Sequence, residues 1–214
     1  MADALAGFAV IVLAAGASRR FGPSNKLIAP SRGRPLLSHI LSTVDDLGVG
    51  QRIVVTGDPY RAEIAAVLAA HPRWAECVNP LAAEGLGGSI AAGTTRLGAS
   101  EGVFICPGDM PCITGADFQA VAARFAGPRS ICRPIHEGRP GHPVLFGADY
   151  FASLRGLTGD RGASGLISAN LVELTTCVSA NPGVCIDFDT PEAFACSCAR
   201  RSAAGGRNRL QRGR

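Results

Sequence analysis

The sequence predicts an α/β protein of three layers, with helices on both faces of a mostly parallel, twisted β-sheet. Three observations carry that expectation. Residues 8 to 13, Phe-Ala-Val-Ile-Val-Leu, form a short unbroken apolar run rich in β-branched side chains, the pattern of a strand buried on both faces. Apolar runs and helical spacings then alternate with short connections, as parallel strands and their crossover helices do. The first run also ends in Ala14, Ala15 and Gly16 and then meets Ser18, Arg19, Arg20, Gly22 and Lys26. Small residues followed by donors and positive charge suit a phosphate held at the carboxyl edge of an open sheet.

Taken in order, Leu13 to Gly16 close the first strand, and the loop after it fits neither of two familiar phosphate loops. A P-loop needs Gly-Lys-Ser/Thr, but Gly22 is followed by Pro23 and Lys26 by Leu27. A dinucleotide fingerprint needs Gly-x-Gly, and Gly16-Ala17-Ser18 breaks it. Lys26 is the only lysine among 21 Lys plus Arg, so one compact ammonium is kept in this loop where arginine is otherwise preferred. Pro35 to Leu47 has helical spacing with Pro35 in its first turn, and His39 reads as a surface residue of that helix. Arg52 to Thr56 is the second strand, Tyr60 to Ala70 the second helix, and Ala75 to Asn79 the third strand.

Glu84 to Gly88 is a glycine-rich entry to a helix over 89–97, expected to leave backbone N–H groups free at its start. Gly102 to Cys106 is an apolar strand that delivers Asp109 to the same sheet edge as the first loop. An acid beside a triphosphate makes sense with a cation between them, and Mg2+ takes one or two carboxylates plus substrate phosphates. A helix over 114–125 follows, and then a turn at 138–143 leading into a strand. Within that turn His142 lies between glycine and proline. Thr158 to Ala163 opens another helix, with Asp160 read as an acid near its N-terminus. Cys185 to Asp189 reads as a strand entering a Thr-Pro-Glu helix start, so Asp187 and Asp189 would share a face and both approach a cation.

The length of 214 residues and 47% hydrophobic content allow a full core in one domain, residues 1–198. Residues 199–214 hold six arginines and no acid, so the chain's net +4 becomes −2 without them. This tail has almost nothing to bury and is expected to be disordered and solvated, and because the positive charge is confined to it a nucleic-acid partner is disfavoured. No Cys-x-x-Cys occurs among the eight cysteines; most lie in apolar stretches and read as small hydrophobes of a reduced, cytoplasmic protein. Met1 to Ala17 lacks the basic start of a secretory leader, and no apolar run approaches the ~20 residues of a membrane span.

Leu-Ala-Ala-Gly-x-Ser-x-Arg-x-Gly with the following Lys-Leu, Gly-Asp-Met-Pro, Gly-His-Pro and Asp-x-Asp-Thr-Pro-Glu occur here in that order. Together they resemble the molybdenum cofactor cytidylyltransferase family, over residues 8 to about 195. The resemblance implies a Rossmann-like nucleotidyltransferase that moves CMP from CTP to the terminal phosphate of molybdopterin cofactor and releases pyrophosphate. GTP as donor, a sugar phosphate as acceptor, or a cofactor carrier without turnover are the alternatives. It further implies a nucleotide site at Leu13, Ala14, Ala15, Gly16, Ser18, Arg19, Lys26, Asn79, Gly87, Gly88, Ser89 and Asp109. Gly87 and Gly88 stand where the family has serines. Arg19, Lys26 and Asp109 are the implied catalytic residues, and Asp109, Asp187 and Asp189 the ligands of Mg2+ or Mn2+. His142 and Asp160 fall near the acceptor. A client molybdoenzyme or its maturation chaperone is the implied partner, with no membrane partner.

Overall fold

The computed structural model describes residues 5–16 and 25–188. The first strand, β1 (Phe8–Leu13), is followed by a hairpin of β2 (Pro30–Ser31) and β3 (Arg34–Pro35), then α1 (Leu36–Asp45). Next come β4 (Gln51–Thr56), α2 (Arg61–Leu68), β5 (Ala75–Val78), α3 (Leu86–Thr95), β6 (Gly102–Pro107) and α4 (Gly115–Ala122). The chain continues with β7 (Ile131–His136), β8 (Arg139–Pro140), β9 (Val144–Gly147), α5 (Phe151–Arg155), α6 (Ser164–Ala169) and β10 (Leu174–Val178).

The main sheet runs β10-β7-β9-β6-β1-β4-β5, with β8 paired to β7. β9 is antiparallel to β6 and β7, whereas β4, β1 and β6, and separately β7 and β10, are parallel. The three-layer, mostly parallel architecture read from the sequence is the one observed. Alternation along β1 divides the core between the two faces. Val10 and Val12 join Leu37, Ile40, Ile64, Phe118 and Val121 of α1, α2 and α4 on one side. Ala9 and Ile11 join Ile90 of α3 and Phe151 and Leu154 of α5 on the other. Cys77, Cys106, Cys132 and Cys177 are buried, and burial pushes the Cys132 thiol up to about 11. No helix among the described residues is long and apolar enough to cross a membrane.

Two short hairpins are absent from the sequence reading. Each closes on a non-glycine–glycine pair, Arg32-Gly33 and Glu137-Gly138, with φ of 49° and 78° in the first and 49° and 76° in the second. Positive φ at both central residues is what a tight two-residue hairpin requires. The first hairpin revises His39. Its ring is 6% exposed, with Nε2 2.9 Å from the Ser31 carbonyl and Nδ1 3.1 Å from an Arg34 guanidinium nitrogen. A surface helix residue has become the anchor of the hairpin. Desolvation lowers its pKa, more than the Ser31 carbonyl raises it.

Candidate active site

β1, β4 and β6 end level with one another, Leu13 opposite both Val55 and Pro107, and the site is built on that edge. Backbone bonds weld the emerging loops together: Ala14 N–H donates to Val55 O (2.8 Å), Gly108 N–H to Leu13 O (2.9 Å) and Asn79 N–H to Thr56 O (2.7 Å). The chain leaves the described residues after Gly16, so Ser18 and Arg19 lie outside them. It returns at Asn25, fully buried, whose Oδ1 accepts from Leu27 N at 2.9 Å and starts a single 3-10 turn over Lys26–Ile28. Leu27 is buried beneath that turn, which fixes the direction in which Lys26 leaves it.

Lys26 and Asp109 meet. The ammonium Nζ lies 2.5 Å from Asp109 Oδ2, with the two side chains 14% and 16% exposed. Residues 83 positions apart, singled out for phosphate and metal respectively, thus form one ion pair at the carboxyl edge of the sheet. Hydrogen bonds between charged partners are stronger than neutral ones, and partial burial screens this pair less than a surface pair.

Asp187 comes to the same place by a different route from the expected one. Pro182–Cys185 is a 3-10 turn, capped by Asn181 Oδ1 accepting from Gly183 N, and residues 186–188 form no strand. The proline and its capping side chain set this turn, which overrides the strand pattern of the sequence. Phe188 N–H donates to Asp109 O at 3.2 Å, so the residue after Asp187 sits against the backbone of the proposed metal ligand. Asp187 is exposed, and Asp189 lies outside the described residues.

Behind this segment is a polar network that sequence reasoning missed. Buried Asp117 accepts from Thr114 N and Oγ1, from Ser179 Oγ and from Asn181 Nδ2, all within 3.0 Å. Thr114-Gly-Ala-Asp117 is a capping box at the start of α4, and its Thr-x-x-acid spacing was the available signal. The network pins residues 179–183 to α4. Val184 O in turn accepts from His142 N at 2.8 Å.

His142 is half-buried in the turn before β9, and its ring Nδ1 is buried with no hydrogen-bond partner. Desolvation, helped by the Arg133 charge, depresses its pKa to about 4, against the opposing pull of the Ile105 carbonyl and Asp109. The ring is therefore neutral near pH 7, and the opposing influence of Asp109 places it within electrostatic reach of the Lys26–Asp109 pair.

The α3 side corrects two expectations. The helix begins at Leu86, three residues earlier than read, so Gly87, Gly88 and Ser89 form its first turn. Gly87 N–H is not free, since it donates to Gly159 O at 2.8 Å, and a Cβ there would lie 2.5 Å from Thr158 O. That glycine serves close packing of helix on loop. At Gly88, by contrast, the nearest atom to a Cβ would be Asn79 Nδ2 at 3.8 Å. Asn79 and Ser89 are both buried and bonded to each other, Nδ2 to Oγ at 3.1 Å, while Asn79 Oδ1 accepts from Leu81 N. Asp160 is exposed in the turn that packs on Gly85 and Gly87. Because α6 starts only at Ser164, with Ala163 before it, Asp160 is no helix cap.

A carboxylate, Asp109, and an ammonium, Lys26, thus meet where β1 and β6 end. The model of the MobA-like NTP transferase domain matches residues 10–174. The chain belongs to that family. Among curated proteins it is 30% identical to the purine catabolism protein PucB of Bacillus subtilis, over 86% of this chain and 92% of that one. It is 33% identical to the bifunctional protein GlmU of Paramagnetospirillum magneticum, over 65% of this chain but only 30% of that protein's length. Solved structures of similar fold include a nucleotidyl transferase from Methanothermobacter thermautotroptrophicus, with TM-score 0.80 and 19% identity over 92% of this chain and 98% of that one. A Mycobacterium tuberculosis protein in complex with manganese gives 0.70 and 21%, over 90% and 98% of the two chains. The inositol-1-phosphate CTP transferase of T. maritima gives 0.66 and 14%, over 90% and 93%. The chain thus carries a MobA-like NTP transferase domain and shares its fold with these solved proteins.

Proposed function

We propose that the chain transfers CMP from CTP to the terminal phosphate monoester of molybdopterin cofactor, releasing pyrophosphate. The observation that carries this reading is the Lys26–Asp109 pair at the carboxyl edge of β1 and β6. An acceptor phosphate already carries anionic oxygens, so the α-phosphorus needs no side-chain nucleophile, and the protein's work is to position and neutralise. Lys26, held by its 3-10 turn, exchanges Asp109 for the substrate's phosphates when the nucleotide enters. The Asp109 carboxylate released in this way is a hard oxygen donor next to those phosphates. Arg19 in the first loop adds a second cation to the same charge.

Asp109 together with Asp187 or Asp189 would hold Mg2+, with Mn2+ as the substitute, and the ion supplies charge neutralisation on the phosphates. The donor set fits, since Mg2+ takes few protein carboxylates and draws its other ligands from phosphate and water. Asn79, Ser89 and Gly88 line the nucleoside side, with His142 and Asp160 towards the acceptor. A phosphate-monoester acceptor and CTP appear together in the name of the T. maritima relative in fold, which agrees with this pairing. A client molybdoenzyme or its chaperone would receive the product.

The test is pyrophosphate release by the purified chain with Mg2+, comparing CTP and GTP, with molybdopterin cofactor as acceptor. The expected result is release with CTP that depends on both metal and acceptor. Preference for GTP would reassign the base, and cofactor binding without pyrophosphate release would make the chain a carrier.

A further inference from the structure

The proposed reaction leaves the half-buried Arg133 guanidinium without a task. Arg133 points from β7, the strand beside β9, and is half-buried. One guanidinium nitrogen, Nη2, donates to the Gly141 carbonyl at 3.2 Å. Its Nε–H is buried and has no hydrogen-bond partner, and no carboxylate among the described residues forms an ion pair with it. An arginine remains charged under all ordinary conditions, and a buried donor left unmade is costly. The second buried ring or guanidinium nitrogen without a partner at this edge is His142 Nδ1. The two residues are connected through one short stretch of backbone. Gly141 accepts from Arg133 and donates to Pro134 O, and His142 follows directly and donates to Val184 O. A donor that cannot lose its charge and a ring nitrogen able to donate or accept thus flank the same turn. Asp109 lies close enough to influence His142.

We propose that Arg133, with His142 beside it, is a specificity-determining residue that receives the anionic phosphate of the acceptor. This rests on the reading of the acceptor as a phosphate monoester. The guanidinium offers a directed N–H to one phosphate oxygen. The neutral imidazole can accept from a protonated phosphate oxygen at Nδ1, or donate to an anionic one in its Nδ1–H tautomer. Separate phosphate sites keep the roles distinct, Lys26 serving the nucleotide and Arg133 the acceptor.

Two measurements on the whole chain test the assignment. In the first, the arginine Nε–H resonance of the 15N-labelled protein that vanishes in Arg133→Lys is followed during titration with inorganic phosphate. It should move saturably in the wild type and equally in Lys26→Ala, which removes the nucleotide-phosphate cation but not this site. In the second, Arg133→Gln should raise the acceptor KM in the pyrophosphate-release assay about 10- to 100-fold, the scale of a hydrogen bond to a charged group. The CTP KM should stay within about twofold, and Arg133→Lys should fall between wild type and Arg133→Gln. An unmoved resonance, or an acceptor KM unchanged in Arg133→Gln, overturns the proposal. If the wild type releases no pyrophosphate with this acceptor, the reading of the reaction fails, and the phosphate titration alone decides for or against the Arg133 site.

Discussion

Lys26 and Asp109, in the roles proposed for them, are already held together in the structure. The ammonium is placed by the buried Asn25–Leu27 turn and the carboxylate by the end of β6, so neither has to be organised at the moment of reaction. Lys26→Ala is expected to lower turnover by about 10²–10³-fold, by analogy with the loss of one preorganised donor, with the fold intact by circular dichroism. Lys26→Arg should recover only part of that loss, because the guanidinium is bulkier and directs its donors differently. Wild-type turnover in Lys26→Ala would remove the phosphate role. Asp109→Asn keeps the shape but removes the charge facing Lys26 and the proposed metal, so its pyrophosphate release should need far more Mg2+; superimposable Mg2+ titrations would exclude Asp109 as a ligand. His142 gives a pH signature of a different kind. Its folded pKa, about 4, is below the unfolded value of 6.5, so its neutral form stabilises the fold fully above pH 6.5. That contribution falls as the pH drops from 6.5 to 4. Melting temperatures of wild type and His142→Gln across this range should therefore diverge, with the wild type losing more; parallel curves would show that the ring is not held neutral.

At the scale of elements, the first turn of α3 contains two adjacent glycines with opposite duties. Gly87 lies flat on the Thr158–Gly159 backbone, and a methyl group there would fall 2.5–2.8 Å from three of its atoms, none of which is a flexible side chain. At Gly88 a methyl group would meet only Asn79 Nδ2, at an ordinary contact distance of 3.8 Å. Gly87→Ala should therefore destabilise the protein by roughly 1–3 kcal/mol, the usual cost of overpacking, and shift the loop that carries Asp160. Gly88→Ala should leave stability unchanged or raise it by up to about 1 kcal/mol, since alanine is the better helix former. If Gly88 is where the nucleotide approaches the backbone, that same variant should raise the CTP KM. Urea melts and initial rates on the two variants separate packing from binding; equal destabilisation would show that the helix does not approach the loop as closely as its backbone indicates.

For the molecule as a whole, the signals that were legible in sequence are those set by near neighbours. The apolar run of β1, the glycines of α3 and Asp109 at the end of β6 are local patterns, and the parallel sheet brings them to one edge because parallel strands end together. What escaped reading depends on how separate elements fold onto one another. His39 is buried because a hairpin folds over its helix, and Asp117 is a hub because Ser179 and Asn181 return to it from about 60 residues away. Arg133 gave no sign, since one arginine on a strand looks like any other until its surroundings are known. Phe188 is 1% exposed and its N–H reaches Asp109, so residues up to 188 close both the core and the site. The Arg-rich segment from 200 onward carries six charges and little to bury. Truncation after Ala199 should leave turnover unchanged and the melting temperature within about 2 °C. Truncation after Ile186 removes a buried phenylalanine together with Asp187 and should lower it by on the order of 10 °C, from about 3–5 kcal/mol at about 2–4 °C per kcal/mol. Its turnover should collapse with it. Replacing Phe188 by leucine in the full chain separates the two causes, since most of the buried volume and all of Asp187 remain, and turnover should then survive a modest loss of stability. A large loss on removing residues 200–214 would instead mean that the basic tail docks on the net-negative body, an attraction that added salt would weaken.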